Sequence, residues 1–114
     1  MVNSELDLST FEELKQMSGT DFIDELVDTF LEDAPKLIRE LSSALQAQDS
    51  ASFRRAAHSL KSNAATFGAN HLSALAKELE TLGKENKLGD IGNQLQTLEA
   101  TYQVVAEELK GLRS

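Results

Sequence analysis

The stretch Phe53-Arg54-Arg55-Ala56-Ala57-His58-Ser59-Leu60-Lys61-Ser62-Asn63-Ala64-Ala65-Thr66-Phe67-Gly68-Ala69 decides how this chain is read. At about 100° per residue, Phe53, Ala57, Leu60, Ala64 and Phe67 fall on one face, at steps of 4, 3, 4 and 3. That spacing predicts an amphipathic helix with a core-facing stripe. His58 falls on the opposite face, within roughly 60° of Ala51, Arg54, Arg55, Lys61, Ser62 and Ala65. The ring is therefore expected in solvent, between cations and small side chains, with little to block an approaching partner. Gly68 follows the last apolar position, where a left-handed residue would stop the helix.

Upstream, Ile23, Leu26, Phe30, Ala34, Leu37, Leu41 and Ala44 repeat at 3 or 4 and predict a helix from about Asp21 to Gln48. Pro35 lies in its middle, where it removes a backbone donor and costs about 3 kcal/mol in a regular helix. The stripe keeps phase across Pro35, which argues for one kinked helix and not two. Asp49-Ser50 reads as the turn and cap before the His58 helix. Nearer the N-terminus, Ser9 or Thr10 can cap a short helix with Phe11, Leu14 and Met17 on its apolar side, ended by Gly19. Residues 1–8 show no periodicity and are expected to fray.

Downstream, Asn70 can cap a helix carrying Leu72, Leu75, Ala76, Leu79 and Leu82 inward. Gly83 to Gly89 reads as a loop, and Asp90 as the cap of a last helix. There Ile91, Leu95, Leu98, Tyr102, Val105, Leu109 and Leu112 form a heptad-like seam. No period-2 alternation occurs, so no strand is expected. The fold class is all-α: an antiparallel four-helix bundle with a short extra N-terminal helix, and 1–114 as a single domain.

Composition limits the chemistry. There is no Cys, which removes disulfides and thiolate metal sites. His58 and His71 are the only histidines, too few and too far apart in sequence for a metal site of known spacing. No P-loop or dinucleotide fingerprint is present. Gly89-Asp90-Ile91-Gly92 fits a GxxG nucleotide clamp only superficially, since an acid sits inside it and no bases flank it. The net charge of −8 argues against nucleic acid. No apolar run approaches a membrane span and no signal pattern opens the chain, so a cytoplasmic protein with no membrane partner is expected.

The charge is unevenly spread. Residues 1–49 hold 12 acids and 3 bases, and residues 78–114 hold 7 acids and 4 bases. Between them, residues 50–77 hold Arg54, Arg55, Lys61 and Lys77 and no acid. Helix surfaces vary in charge by chance, but an incoming anionic group would also favour ground free of carboxylates. A lone His on a polar helix face is most often an ordinary surface residue. The cationic flanks, the small neighbours and this acid-free island set His58 apart.

His58-x-Leu60-Lys61, the small residue Ser62, and Gly68 ten positions after the His resemble the signature of histidine phosphotransfer (HPt) domains. The same residues are similar to the phosphorylated domain of chemotaxis-type histidine kinases. The core of the match is about a dozen residues, and the helical layout carries it over most of the chain. Ser62 is a departure, since the family usually has Gly there.

The resemblance implies a phosphoryl carrier of a two-component phosphorelay, without a kinase or ATP site of its own. His58 would exchange a phosphoryl group with an Asp of response-regulator receiver domains, and a hybrid histidine kinase would be the other partner. No cofactor of its own is implied, and Mg2+ would sit on the partner receiver. Lys61, one turn on, is placed to face the phosphoryl oxygens, and Arg54 or Arg55, one turn back, could do the same. Ser62 and Gly68 support the site by keeping access and ending the helix. A monomer is expected. The alternative is a non-catalytic four-helix interaction module in which His58 is incidental. A hydrolase with His58 as general base finds no acid or nucleophile on the same helix face.

Overall fold

The apolar stripe of the His58 helix faces the core: Phe53, Ala57, Leu60, Ala64 and Phe67 are all buried. The computed structural model describes residues 5–112. Its elements are α1 (Leu8–Ser18), α2 (Thr20–Ala47), α3 (Ser50–Thr66), α4 (Asn70–Lys84), a single 3₁₀ turn (Leu88–Asp90) and α5 (Gln94–Leu112). No strand occurs among the described residues, and no helix among them is long and apolar enough to cross a membrane. The packing α2 on α3, α3 on α4, α4 on α5 and α5 back on α2 closes a four-helix bundle, and α1 lies against α2.

Helix α2 runs unbroken through Pro35. Ile23, Val27, Phe30, Ala34, Ile38, Leu41 and Ala44 are buried along its whole length. Fully burying each large one stabilises by roughly 1.5–3 kcal/mol, which together outweighs one missing backbone bond. Phe30 sits between Phe67 and Tyr102, at centroid distances of 5.3 and 5.9 Å, and so ties α2 to the end of α3 and to α5. Burial pushes the Tyr102 phenol above its ordinary range.

Three helix ends close in the same way. Ala69 N–H donates to the Ala64 carbonyl at 3.0 Å, Asp49 N–H to that of Ala44 at 2.9 Å, and Lys87 N–H to that of Leu82 at 2.8 Å. Each closure puts the preceding residue at positive φ: Gly68 at 75°, Gln48 at 57° and Asn86 at 57°. The connections are therefore short and neighbouring helices run antiparallel. Asp49 caps α3, its carboxylate accepting from Ser52 N–H at 3.1 Å and from the Ser52 hydroxyl at 2.7 Å.

Four boundaries differ from the sequence expectation. The cap of α1 is Asp7, whose carboxylate accepts from Ser9 N–H at 3.1 Å; neither Ser9 nor Thr10 plays that part. Asn70 is the first residue of α4 and makes no side-chain cap. Gly83 is buried inside α4 and belongs to no loop. Helix α5 begins at Gln94, not after Asp90, because Gly92 at φ 55° interrupts the backbone while Leu88 and Ile91 turn into the core. The fraying expected of residues 1–8 fails for 5–8, and the rest of it falls on residues 1–4, outside the described residues. Leu6 is buried, and Asp7 N–H donates to the Gly68 carbonyl at 2.8 Å.

Gly83 decides how close α3 and α4 come. A Cβ built there would lie 3.2 Å from Arg54 Cβ, Arg54 N and Phe53 Cδ1. In an open helix position Ala is more stable than Gly by about 0.5–1 kcal/mol. Here the crowding atoms include backbone, which cannot swing aside, so overpacking of about 1–3 kcal/mol governs. Gly83→Ala is expected to lower stability by about 1 kcal/mol in urea melts, whereas Gly111→Ala, with nothing within 4 Å, should be neutral or slightly stabilising.

Candidate functional site

His58 projects from the middle of α3, with its side chain 59% exposed. Ala51, Arg54, Arg55, Ser62 and Ala65 around it are exposed, as the helical wheel requires, and Lys61 is partly covered. The ring is not free, however. Its Nδ1 lies 2.7 Å from Oε2 of Glu80, a residue of α4 only 17% exposed. The other oxygen of that carboxylate, Oε1, accepts from Lys61 Nζ at 2.7 Å. Three side chains from two helices thus form one chain of contacts, Lys61 to Glu80 to His58.

This corrects the acid-free island. Residues 50–77 lack acids in sequence, but the fold brings Glu80 against the ring from outside the segment. Two more acids, Asp33 and Glu40, line the α2 side of the groove beside His58, together with Lys36 and Leu37. The field at the ring is mixed in sign. Ser59 and Ser62 form the α3 wall of this groove, and Asp33, Lys36, Leu37 and Glu40 of α2 form the other; Ala51 and Ala65 do not line it.

The Glu80 carboxyl is held below its ordinary range, chiefly by the hydrogen bond from Lys61; partial burial opposes this and the bond to His58 reinforces it. A lowered folded value means that the stability Glu80 contributes is fully present above the ordinary carboxylate range and is lost only as pH falls through that lowered value. At neutral pH the carboxylate is therefore ionised and has no hydrogen to give. Nδ1 must be the donor, which fixes the neutral ring as the Nδ1–H tautomer and leaves the lone pair on Nε2. No hydroxyl is bonded to the ring among the described residues, so the contacts of a Ser–His hydrolase are not formed.

The other expected site residues separate. Arg55 lies on the α2 side, its guanidinium donating to the Ser52 hydroxyl at 3.2 Å, and it lines a second, neighbouring groove with Lys36 and Arg39 that does not include His58. Arg54 is exposed on the α4 side, its Cβ close to Gly83. Neither arginine makes an ion pair with an acid of α2 among the described residues. Gly68 ends α3 as expected and does one thing more. A Cβ on it would meet the Asp7 carbonyl oxygen and Thr10 Cβ at 2.9 Å, so it also lets the N-terminal segment dock. His71 pairs with Glu5, Nδ1 to Oε2 at 3.0 Å, away from the His58 groove. No group of three or more His, Asp or Glu among the described residues could hold a metal ion.

Glu80 is the functional candidate that sequence reading missed, and a signal for it existed. In an antiparallel pair joined by a tight turn, residues equally far from the turn face each other. His58 stands ten positions before Gly68 and Glu80 twelve after it. Glu80 also follows the buried Leu79 and precedes the buried Gly83 by three, which places it on the flank of the α4 inner face.

The arrangement can be set beside known proteins. A family model described as "Hpt domain" matches residues 25–113. The sensor protein TorS of Escherichia coli (strain K12) is 39% identical over 75 residues, 66% of this chain, and the chain spans only 8% of that protein. The phosphorelay protein LuxU of Vibrio harveyi is 28% identical over 102 residues, 90% of each chain. The crystal structure of histidine-containing phosphotransfer protein B of Pseudomonas aeruginosa PAO1 superposes with a TM-score of 0.91 at 28% identity, covering 98% of this chain and 96% of that one. With the family model matched over most of its length and the same bundle found in a solved relative, the chain belongs to the Hpt domain family.

Proposed function

We propose that this Hpt domain is a phosphoryl carrier of a two-component phosphorelay, with His58 as the residue that accepts and returns the group. The observation that carries the reading is the 2.7 Å contact between His58 Nδ1 and Glu80 on an otherwise exposed ring. It leaves Nε2 as the nucleophilic nitrogen of a ring that is 59% exposed. The partners are response-regulator receiver domains and a hybrid histidine kinase; the domain acts as a cytoplasmic monomer, without nucleic acid or membrane. It carries no kinase or ATP site. Mg2+ belongs to the receiver, where the acyl phosphate sits.

The transfer balances as follows. The Nε2 lone pair attacks phosphorus of the partner's aspartyl phosphate, the N–P bond forms, and the O–P bond breaks. The electron pair of the broken bond returns to the Asp carboxylate. The ring then carries positive charge shared with Nδ1–H, opposite the Glu80 carboxylate. Because that charge grows as N–P bonding grows, Glu80 stabilises the transition state more than the resting ring. The reverse transfer uses the same contact. Arg54 and Arg55, on either side of the ring, form no ion pair among the described residues, and their role is to attract the phosphoryl oxygens. Ser62, exposed in the groove wall, gives the receiver's recessed Asp a low approach to His58.

His58→Gln should take up no acid-labile, alkali-stable label from a receiver domain charged with acetyl phosphate, while its stability stays within about 1 kcal/mol of the parent. Label persisting on the variant, or found on His71, refutes the site and leaves the interaction module. Glu80→Gln should still be labelled on His58, but about tenfold more slowly, since it loses one charge-assisted hydrogen bond worth about 1.5 kcal/mol. An unchanged rate would remove Glu80 from the mechanism. Ser62→Gln should block labelling sterically without changing the melt, since Ser62 faces away from the core; normal labelling with normal stability would mean that the receiver approaches from another side.

A further inference from the structure

A phosphoryl group on His58 needs a cation in contact with its oxygens, and the cations nearest the ring in sequence are not placed for it. Lys61 is engaged elsewhere, its Nζ 2.7 Å from Glu80 Oε1. Arg55 donates to the Ser52 hydroxyl and borders a groove that does not include His58. Arg54 lies beside Gly83 of α4. None of the three lines the groove that contains the ring.

The ring itself says where the group sits. Its Nδ1 is held on Glu80 of α4. In an imidazole, Nε2 and Cδ2 form the edge across from Nδ1, so that edge is turned away from Glu80. On the α2 side His58 lines a groove of about 440 Å³ with Ser59 and Ser62 of its own helix, and neither Glu80 nor Lys61 borders it.

The opposite wall carries Asp33, Lys36 and Glu40, spaced by 3 and 4 and so on one face of α2. A phosphoryl group entering beside two carboxylates alone would be repelled. Lys36 is the groove's one cationic lining residue. It is exposed, and among the described residues it forms no ion pair with either acid or with any other. Its flexible four-carbon stem lets the ammonium reach over the groove. Lys36 also borders the neighbouring groove with Arg39 and Arg55, so the cations of that groove meet the ring's groove only at Lys36.

Resting on the assignment of His58 as acceptor, we propose that Lys36 is a catalytic residue of the transfer, supplied by α2: its ammonium contacts the phosphoryl oxygens while the group is on Nε2 and as it leaves. Lys36 forms no covalent bond and gives up no proton. It supplies positive charge where the phosphoryl oxygens carry negative charge, and it offsets Asp33 and Glu40. Lys61 stays on Glu80 throughout.

The test charges the full chain with phosphoramidate, which needs no receiver, and titrates the phosphoryl group by phosphorus NMR in the parent, Lys36→Met, Lys36→Arg, Lys61→Met and Lys77→Met. Lys77 is an exposed lysine of α4 that borders a different groove, without His58. A cation in contact favours the more ionised phosphoryl form, so Lys36→Met should raise its titration midpoint by about half a pH unit at low salt, less at high salt. Lys36→Arg should keep the parent value, and Lys77→Met should not move it. Labelling of Lys36→Met from an acetyl-phosphate-charged receiver domain should slow about fivefold at low salt. An unmoved midpoint in Lys36→Met overturns the proposal, even with slow labelling, since Lys36 would then only help the receiver dock. A shift in Lys61→Met without one in Lys36→Met would put Lys61 on the phosphoryl group instead. Equal shifts in Lys36→Met and Lys77→Met would reduce the effect to net charge and overturn it as well. Label found anywhere but on His58 refutes the acceptor assignment and the proposal with it, whereas label on His58 with an unmoved midpoint refutes the role of Lys36 alone.

Discussion

The close antiparallel approach of α3 and α4 is the constraint on which the site depends. It rests on small residues: Ala57 and Ala64 on one helix, Ala76 and Gly83 on the other, all buried. A methyl group on Gly83 would crowd Phe53 and Arg54 at 3.2 Å. Between that contact and the Ser73–Lys61 bond farther along, the register of the two helices is fixed, and Glu80 falls opposite His58 and Lys61. A displacement of about 1 Å at this interface would lengthen both 2.7 Å contacts beyond hydrogen-bond range. The tautomer of an exposed imidazole is thus set by core packing.

Exposure and control usually oppose each other in a reactive side chain. A ring in open solvent rotates and exchanges tautomers freely, while a buried ring cannot reach a partner. Here the two nitrogens divide the requirements. Nδ1 is anchored on a largely covered carboxylate, and the rest of the ring faces outward. The anchor comes from a second helix, so it constrains the ring without crowding the small residues Ala51, Ser62 and Ala65 on the first.

The N-terminal segment shows a similar economy. Gly68 ends α3 in the left-handed region and, lacking a Cβ, leaves room for the Asp7 backbone. Asp7 then caps α1 with its side chain while its N–H donates to Gly68. One residue stops the helix that carries His58 and seats the element that covers the end of the bundle. Glu5, paired with His71 of α4 and hydrogen-bonded through its N–H to Glu108 of α5, extends that seating.

The sequence alone determined the helices, the buried stripe and the outward face of His58. Each follows from periodicity within one helix, where 3.6 residues per turn fixes direction whatever the neighbours do. It also marked the stops at Gly19 and Gly68, because glycine at positive φ is a local property of the backbone. The ends of α4 and α5 were not legible, since Gly83 serves packing between helices and the turn at Leu88–Asp90 exists because Leu88 and Ile91 reach a core built by others. The acid-free island misled for the same reason: charge counted along one strand of sequence says nothing of the helix packed beside it. Lys61 was placed on the correct face, but its partner was not, because a long flexible side chain takes its direction from the nearest opposite charge in space. Glu80, 22 positions from His58, became part of the site only when the α3–α4 turn folded the chain back and the packing of small residues set the register.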